Sequence, residues 1–184
     1  ETGLADNTII IFTADHGDFL GDHGLMLKGP AHFDGVTHVP FIWAEPDGEA
    51  RRTQALASTV DIAASIMDRA RVEPYNGIQG RSLVNAVRGE DDPDAVDSVI
   101  VEDEQQRIYF GYTKPPRIRS IITGRYRLSV SAGEDWGELY DLATDVGEQN
   151  NVAAENASGA KRLQEMLSTL VEAGNGIRSV NPQN

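Results

Sequence analysis

Two short runs, Thr8-Ile9-Ile10-Ile11-Phe12 and Val39-Pro40-Phe41-Ile42-Trp43, carry β-branched and aromatic residues with no polar alternation. Neither run has a side suited to water. Each therefore predicts a strand covered on both faces, as in the interior of a parallel α/β sheet. Two such strands do not make a stable sheet by themselves; they need further strands and covering helices. Around them, Gly3 reads as a helix C-cap and Asp6-Asn7 as a turn. Ser58 with Asp61 predicts a helix start of the capping-box kind, and Val60, Ile62, Ala63, Ile66 and Met67 supply an apolar face behind it. Asn76-Gly77 and Gly80 mark turns, and Ser82 to Val87 predicts a short helix. The acidic loop Glu90-Asp91-Asp92-Pro93-Asp94 marks a subdomain boundary, dividing the chain into residues 1–92 and 93–184.

Beyond that loop the rhythm changes. Ser98–Glu102, Arg107–Tyr112, Arg117–Thr123 and Arg125–Ser131 are short strand candidates, the last two joined by a tight turn at Thr123-Gly124. Tyr126, Leu128 and Val130 alternate with Arg125, Arg127 and Ser129, which predicts one buried and one wet face. A terminal helix is expected from Ser158 to Ala173, with Leu163, Met166, Leu167, Leu170 and Val171 as its apolar stripe and Gly174 as its stop. Asn156-Ala157-Ser158 fits a glycosylation sequon, but at a helix start it reads as an N-cap. An incomplete central sheet followed by a small antiparallel sheet with one helix is the signature of the C-terminal piece of a larger enzyme.

Composition removes several classes. With 29 acidic against 16 basic residues and a formal net charge of −13, a nucleic-acid backbone is not an expected partner. No apolar run approaches membrane-spanning length. With no Cys among the 184 residues, a disulfide scaffold, a Cys-ligated zinc site and a cysteine nucleophile are excluded within this stretch.

All four histidines, His16, His23, His32 and His38, fall in one glycine-rich stretch with Asp15, Asp18, Asp22, Asp34 and Lys28. Connections of that length are usually functional. The stretch begins where the first apolar strand ends, and ligands of open α/β sheets bind beyond the carboxyl ends of strands. Asp15 and His16 can offer one carboxylate oxygen and one imidazole nitrogen to a divalent cation. Gly17 would let the backbone turn away with no side chain in the metal's path. Lys28, in a segment otherwise poor in cations, could clamp an anionic group against that metal. His23 and His32 could supply a hydrogen bond behind the site, a second-metal ligand or a proton. His38 reads as structural, and Asp22 and Asp34 as fixing the loop through backbone amides.

The blocks Asp6-Asn7-Thr8-Ile9-Ile10-Ile11-Phe12-Thr13-Ala14-Asp15-His16-Gly17, Leu20-Gly21-Asp22-His23-Gly24, Lys28-Gly29 and His38-Val39-Pro40-Phe41-Ile42 closely resemble the sulfatase family of the alkaline phosphatase superfamily. The arylsulfatases and the phosphonate monoester hydrolase and phosphodiesterase branch share this pattern. Ile118-Arg119-Ser120, Arg125-Tyr126-Arg127-Leu128, Glu138-Leu139-Tyr140-Asp141-Leu142, Asp145 and Glu148 to Val152 resemble the family's closing four-stranded sheet and terminal helix. The resemblance implies an alkaline-phosphatase-like α/β fold, here the C-terminal part of the central sheet plus that small antiparallel sheet and helix.

It further implies a metal-dependent sulfuric ester hydrolase acting on a small anionic ester. Asp15 and His16 match metal ligands, and Lys28 matches the lysine that contacts the sulfate or phosphonate oxygens. The metal implied is calcium, with manganese or magnesium as alternatives. The formylglycine nucleophile, made from Cys or Ser, and two further Asp ligands are expected in an N-terminal half outside this stretch. These 184 residues alone are then expected to be inactive. The alternatives are a phosphonate monoester or phosphodiester hydrolase, and a non-catalytic remnant module.

Overall fold

The computed structural model describes residues 3–46, 48–109, 111–134 and 137–178, with side chains described as far as Ala173. The chain divides into two compact units. One comprises residues 1–16 and 38–96; the other comprises residues 17–37 and 97–184. The division is discontinuous: the histidine-rich stretch beyond His16 packs with the C-terminal half of the sequence.

In the first unit, β1 (Ile10–Thr13) and β2 (Phe41–Ala44) pair with Ile10 opposite Ala44 and Thr13 opposite Phe41. They run antiparallel, where neighbours in a parallel sheet were expected. An apolar run records the need for cover but not strand direction, which the connection sets. Ile10, Phe12 and Ile42 remain more than half exposed. The sheet faces that the sequence demands be covered are thus open in the described residues.

The helix α2 (Asp61–Arg69) begins as the capping pattern predicts, with the Asp61 carboxylate accepting the Ser58 N–H at 2.8 Å. Its buried face is Asp61, Ala64 and Ser65, however, and not the stripe through Val60 and Ile66, which are both about half exposed. Backbone hydrogen bonding explains the reversal. Asp61 also accepts the Arg81 N–H at 3.0 Å, while Ser65 Oγ accepts the Leu83 N–H at 2.8 Å and donates to the Asp61 carbonyl at 2.7 Å. The chain returns so closely here that a Cβ on Gly80 would lie 2.1 Å from the Val60 carbonyl oxygen. It then enters α3 (Val84–Arg88), which starts two residues later and ends one residue later than the expected Ser82–Val87.

The second unit is built on β3 (Ser98–Glu104), β4 (Arg117–Thr123), β5 (Tyr126–Ser131) and β6 (Gly137–Asp141), in that order and antiparallel throughout. At the β4–β5 turn the Thr123 Oγ1 accepts the N–H groups of Arg125 and Tyr126 at 3.3 and 2.9 Å. The strand expected at Arg107–Tyr112 is absent from its described residues, Phe110 lying outside them. The fourth strand is β6, the stretch singled out by the family resemblance.

One face of this sheet presents Ile121, Leu128 and Leu139, which bury against Leu163 and Leu167 of α4 (Ala157–Arg178). Asn156 caps that helix, its Oδ1 accepting the Gly159 N–H at 3.1 Å. Leu170, placed in the apolar stripe, is 38% exposed. The helix also continues through Gly174, the expected stop, because a glycine ends a helix only where the backbone turns left-handed.

The opposite face, expected to be wet, is buried as well. Arg127, Ser129 and Ser120 are no more than 3% exposed. Segment 17–37 covers them, with Phe19 and Phe33 packed against Tyr140 of β6.

Candidate active site

Asp15 and His16 lie two and three residues beyond the end of β1, in the first unit. The Asp15 carboxylate folds back on its neighbour: Oδ1 accepts the His16 N–H at 3.1 Å, and Oδ2 lies 3.6 Å from His16 Nε2. Bonds of about 2.0 to 2.5 Å to one cation set adjacent donors about 3 to 3.5 Å apart. The 3.6 Å Asp15–His16 separation lies just outside that range, and an oxygen–nitrogen donor set is of the kind divalent ions take, so a small side-chain rotation would bring the pair to one ion. The Asp15 side chain is 88% exposed and so is available to solvent and ions. No group of three or more His, Asp or Glu side chains converges among the described residues, so the pair provides two donors and not a complete cage.

Gly17 is required for a different reason from the expected one. Its N–H donates to the Val36 carbonyl at 2.9 Å, and a Cβ at this position would stand 1.9 Å from the Gly35 carbonyl oxygen. Close approach to the 35–36 backbone excludes any side chain.

Lys28 belongs to the second unit and is exposed. Its loop is tightly organised. The Phe19 N–H donates to the Leu27 carbonyl at 2.8 Å, and the Gly21 N–H to the Leu25 carbonyl at 2.9 Å. Leu20, His23 and Leu27 adopt left-handed φ values of 49°, 55° and 63°, conformations unfavourable for side chains of this size. Phe19, 2% exposed, anchors the loop below. Among the carboxylates, Asp18 caps the first turn by accepting the Leu20 N–H at 2.9 Å, and Asp34 contributes its backbone N–H.

The remaining histidines have distinct surroundings. His23 lies flat on Phe33, with ring centroids 3.6 Å apart and an interplanar angle of 10°. His32 is 4% exposed, its Nδ1 paired with Ser120 Oγ at 2.8 Å. Burial pulls the His32 pKa down to about 4, so the ring is neutral at pH 7. Ser120 Oγ also bonds Ser129 Oγ at 2.6 Å, so this imidazole is tied into the polar face of the sheet. His38 is exposed just before β2.

Sequence reasoning did not single out the polar cluster beneath the loop. Arg127 pairs with Glu148 and bonds Ser129 Oγ, and Glu138 Oε2 stands 3.7 Å from its Nη1. Burial raises the Glu138 carboxyl, with Arg127 opposing that rise. Nearby, His32, Tyr112, Ser129 and Glu138 line a cavity of about 40 Å³, a space for water and not for a substrate. A signal was present: Arg127, Ser129 and Ser131 fall on alternate positions with small hydroxyls where a wet face usually carries longer charged side chains.

Residues 1–72 match the family model described as Sulfatase. The chain is 31% identical over 147 residues to the sulfatase YidJ of Escherichia coli, an alignment covering 80% of this chain and 28% of that protein. It is 30% identical over 190 residues to an N-acetylglucosamine-6-O-sulfatase of Bacteroides thetaiotaomicron, covering 98% of this chain and 32% of the relative. Among solved structures, the phosphonate monoester hydrolase of Agrobacterium radiobacter superposes with a TM-score of 0.83 at 31% identity, over 94% of this chain and 36% of that one. A 2-O GAG sulfatase superposes with a TM-score of 0.81 at 27% identity, over 97% and 38%. The chain thus spans about a third of the length of the curated relatives it matches. By sequence over its first 72 residues and by fold over nearly its whole length, the chain belongs to the sulfatase family of the alkaline phosphatase superfamily.

Proposed function

We propose that this chain is part of a metal-dependent sulfuric ester hydrolase. The observation that carries the reading is the Asp15–His16 pair, an oxygen and a nitrogen donor 3.6 Å apart just beyond the end of β1, in a chain of sulfatase fold. Asp15 and His16 would hold a divalent ion, calcium first with manganese or magnesium as alternatives. When bound, that ion supplies positive charge and Lewis acidity at the ester oxygens. Lys28 would hold the anionic sulfate group through its ammonium and stabilise charge that grows during transfer. The substrate would be a small anionic ester.

Two donors alone bind a cation weakly, and no cysteine is present to furnish a formylglycine, which leaves only a serine precursor within this stretch. The nucleophile and the remaining ligands are accordingly proposed to lie outside these 184 residues. The isolated stretch should show no turnover and only weak calcium or manganese binding. Tight binding of either ion in isothermal titration of the stretch would contradict this. In the complete enzyme, Lys28→Ala should lower kcat/KM for an aryl sulfate by about a hundredfold. Wild-type kcat/KM in that variant would remove Lys28 from the site.

The similarity to a phosphonate monoester hydrolase supports a second reading, since sulfate and phosphonate esters share tetrahedral geometry and differ mainly in charge. Comparing kcat/KM for an aryl sulfate and an aryl phosphonate on the complete enzyme separates the two. A clear preference for the phosphonate would replace the sulfatase reading.

A further inference from the structure

Segment 17–37 packs with the four-stranded sheet, and one buried cation sits at the centre of that packing. Arg127, on β5, is 1% exposed. Its guanidinium lies 4.9 Å from the centroid of the Phe33 ring and 4.8 Å from that of Tyr140, so aromatic surfaces from the loop and from β6 both contact it. Its Nε bonds one carboxylate oxygen of Glu148. The other oxygen of Glu148 accepts the Asp34 N–H at 2.7 Å, at the start of the short helix α1 (Asp34–Thr37). Glu148 is 2% exposed and sits at φ 51°, a backbone state that a non-glycine residue keeps only where its surroundings impose it.

From Phe33 the contacts continue toward Lys28. Phe33 stacks with His23 and meets Phe19 edge-on, their centroids 6.3 Å apart at 70°. Phe19 in turn closes the loop on Leu27, the residue before Lys28, through its N–H. A planar guanidinium offers a fixed set of donors and two flat faces, so it fixes orientation where an ammonium would fix only distance.

We propose that Arg127 is a positioning residue: through Phe33 and Glu148 it sets the backbone of segment 17–37 and thereby the presentation of Lys28 to the anionic group of the substrate. This rests on the role given to Lys28 above. The small antiparallel sheet is then the template on which an active-site loop is shaped.

The test uses the complete enzyme. Arg127→Met alone would strand the buried Glu148 carboxylate, so it is combined with Glu148→Gln, which keeps an acceptor for the Asp34 N–H. In the double variant kcat should fall about tenfold or more while KM stays within about threefold, the pattern of a group displaced in the transition state. Amide exchange at Phe19, Gly21 and Leu25 should accelerate by about tenfold, with α2 unaffected. Arg127→Lys keeps a cation for Glu148 but loses the planar stack, and should fall between wild type and the double variant on both readouts. It also provides the reading if the double variant fails to fold. Arg125→Ala, which removes a surface ion pair with Asp141, should change neither quantity by more than about twofold.

Wild-type loop exchange in a folded variant overturns the proposal, and so does faster exchange with unchanged turnover. Full activity in Lys28→Ala would instead remove the role given to Lys28, whatever the exchange shows. The two failures are therefore distinguishable.

Discussion

The two faces of the four-stranded sheet are both buried, but by different chemistry. Toward α4 the contacts are aliphatic: Ile121, Leu128 and Leu139 against Leu163 and Leu167. Toward segment 17–37 they are an ion pair, hydroxyls, a neutral histidine and two aromatic rings around Arg127. Apolar burial is non-directional, so the first face stabilises the fold while tolerating repacking. Hydrogen-bonded charge is directional and costly to leave half-made, so the second face holds one pose of its cover and penalises others. That division suits a sheet with a structural helix on one side and, on the other, the loop proposed to carry Lys28.

Breaking one partner of the buried pair should have the largest effect. Glu148→Ala strands Arg127 and removes the acceptor of the Asp34 N–H, so local stability should fall by about 3 to 5 kcal/mol, measured as faster exchange of β5 amides. Replacing both partners by apolar residues should restore most of that loss. If the single and double variants lost the same amount, the polar face would not differ in kind from the aliphatic one. Leu163→Ala, on the other face, should cost about 3 kcal/mol through a cavity against Ile121 and Leu128, with no partner substitution able to rescue it. Its effect on the 17–37 amides should match its effect on the sheet, because it opens the unit as a whole.

Much of the aliphatic face was legible in the sequence. Leu163 and Leu167 follow helical spacing, Tyr126, Leu128 and Val130 follow strand spacing, and Asn156 sits where a cap belongs. The closeness of Asp15 and His16 was legible because they are neighbours in the chain, and their service to a metal ion belongs to the proposal. The polar face was not. Ser120 and His32 bond each other across 88 residues of sequence, and no local period announces a contact of that range. Arg127 and Ser129 read as a wet face because polarity alone does not say whether a partner will arrive to satisfy it. β6 was marked by the family resemblance but escaped the periodicity reading: Gly-Glu-Leu-Tyr-Asp places its two buried residues, Leu139 and Tyr140, side by side, one for each covered face, so strand alternation fails. The direction of β1 against β2 was likewise invisible, since it depends on the path between them and not on their composition.

The smallest of the three effects separates the two faces by pH. The His32 ring has its pKa lowered to about 4 by burial, with Asp103 opposing and Arg127 assisting. In the unfolded chain it titrates near 6.5, so between pH 6.5 and 4 the unfolded state binds more protons than the folded one. Stability contributed by the neutral ring is therefore complete above that window and is lost as pH falls through it, amounting to about 2 kcal/mol by pH 5. The groups that meet the ring are Ser120 on β4, Arg127 on β5 and Asp103 on β3, so protonation places a second cation against the polar face and leaves the α4 face untouched. His32→Gln retains a partner for Ser120 without a titrating ring, and the difference in exchange between wild type and this variant isolates the effect from that of other carboxylates. The expected result is that wild-type 17–37 amides lose protection between pH 6.5 and 5 faster than those of the variant, while Leu163 and its neighbours on α4 show no such difference. An equal pH response in both proteins would mean that His32 does not couple the loop to the sheet.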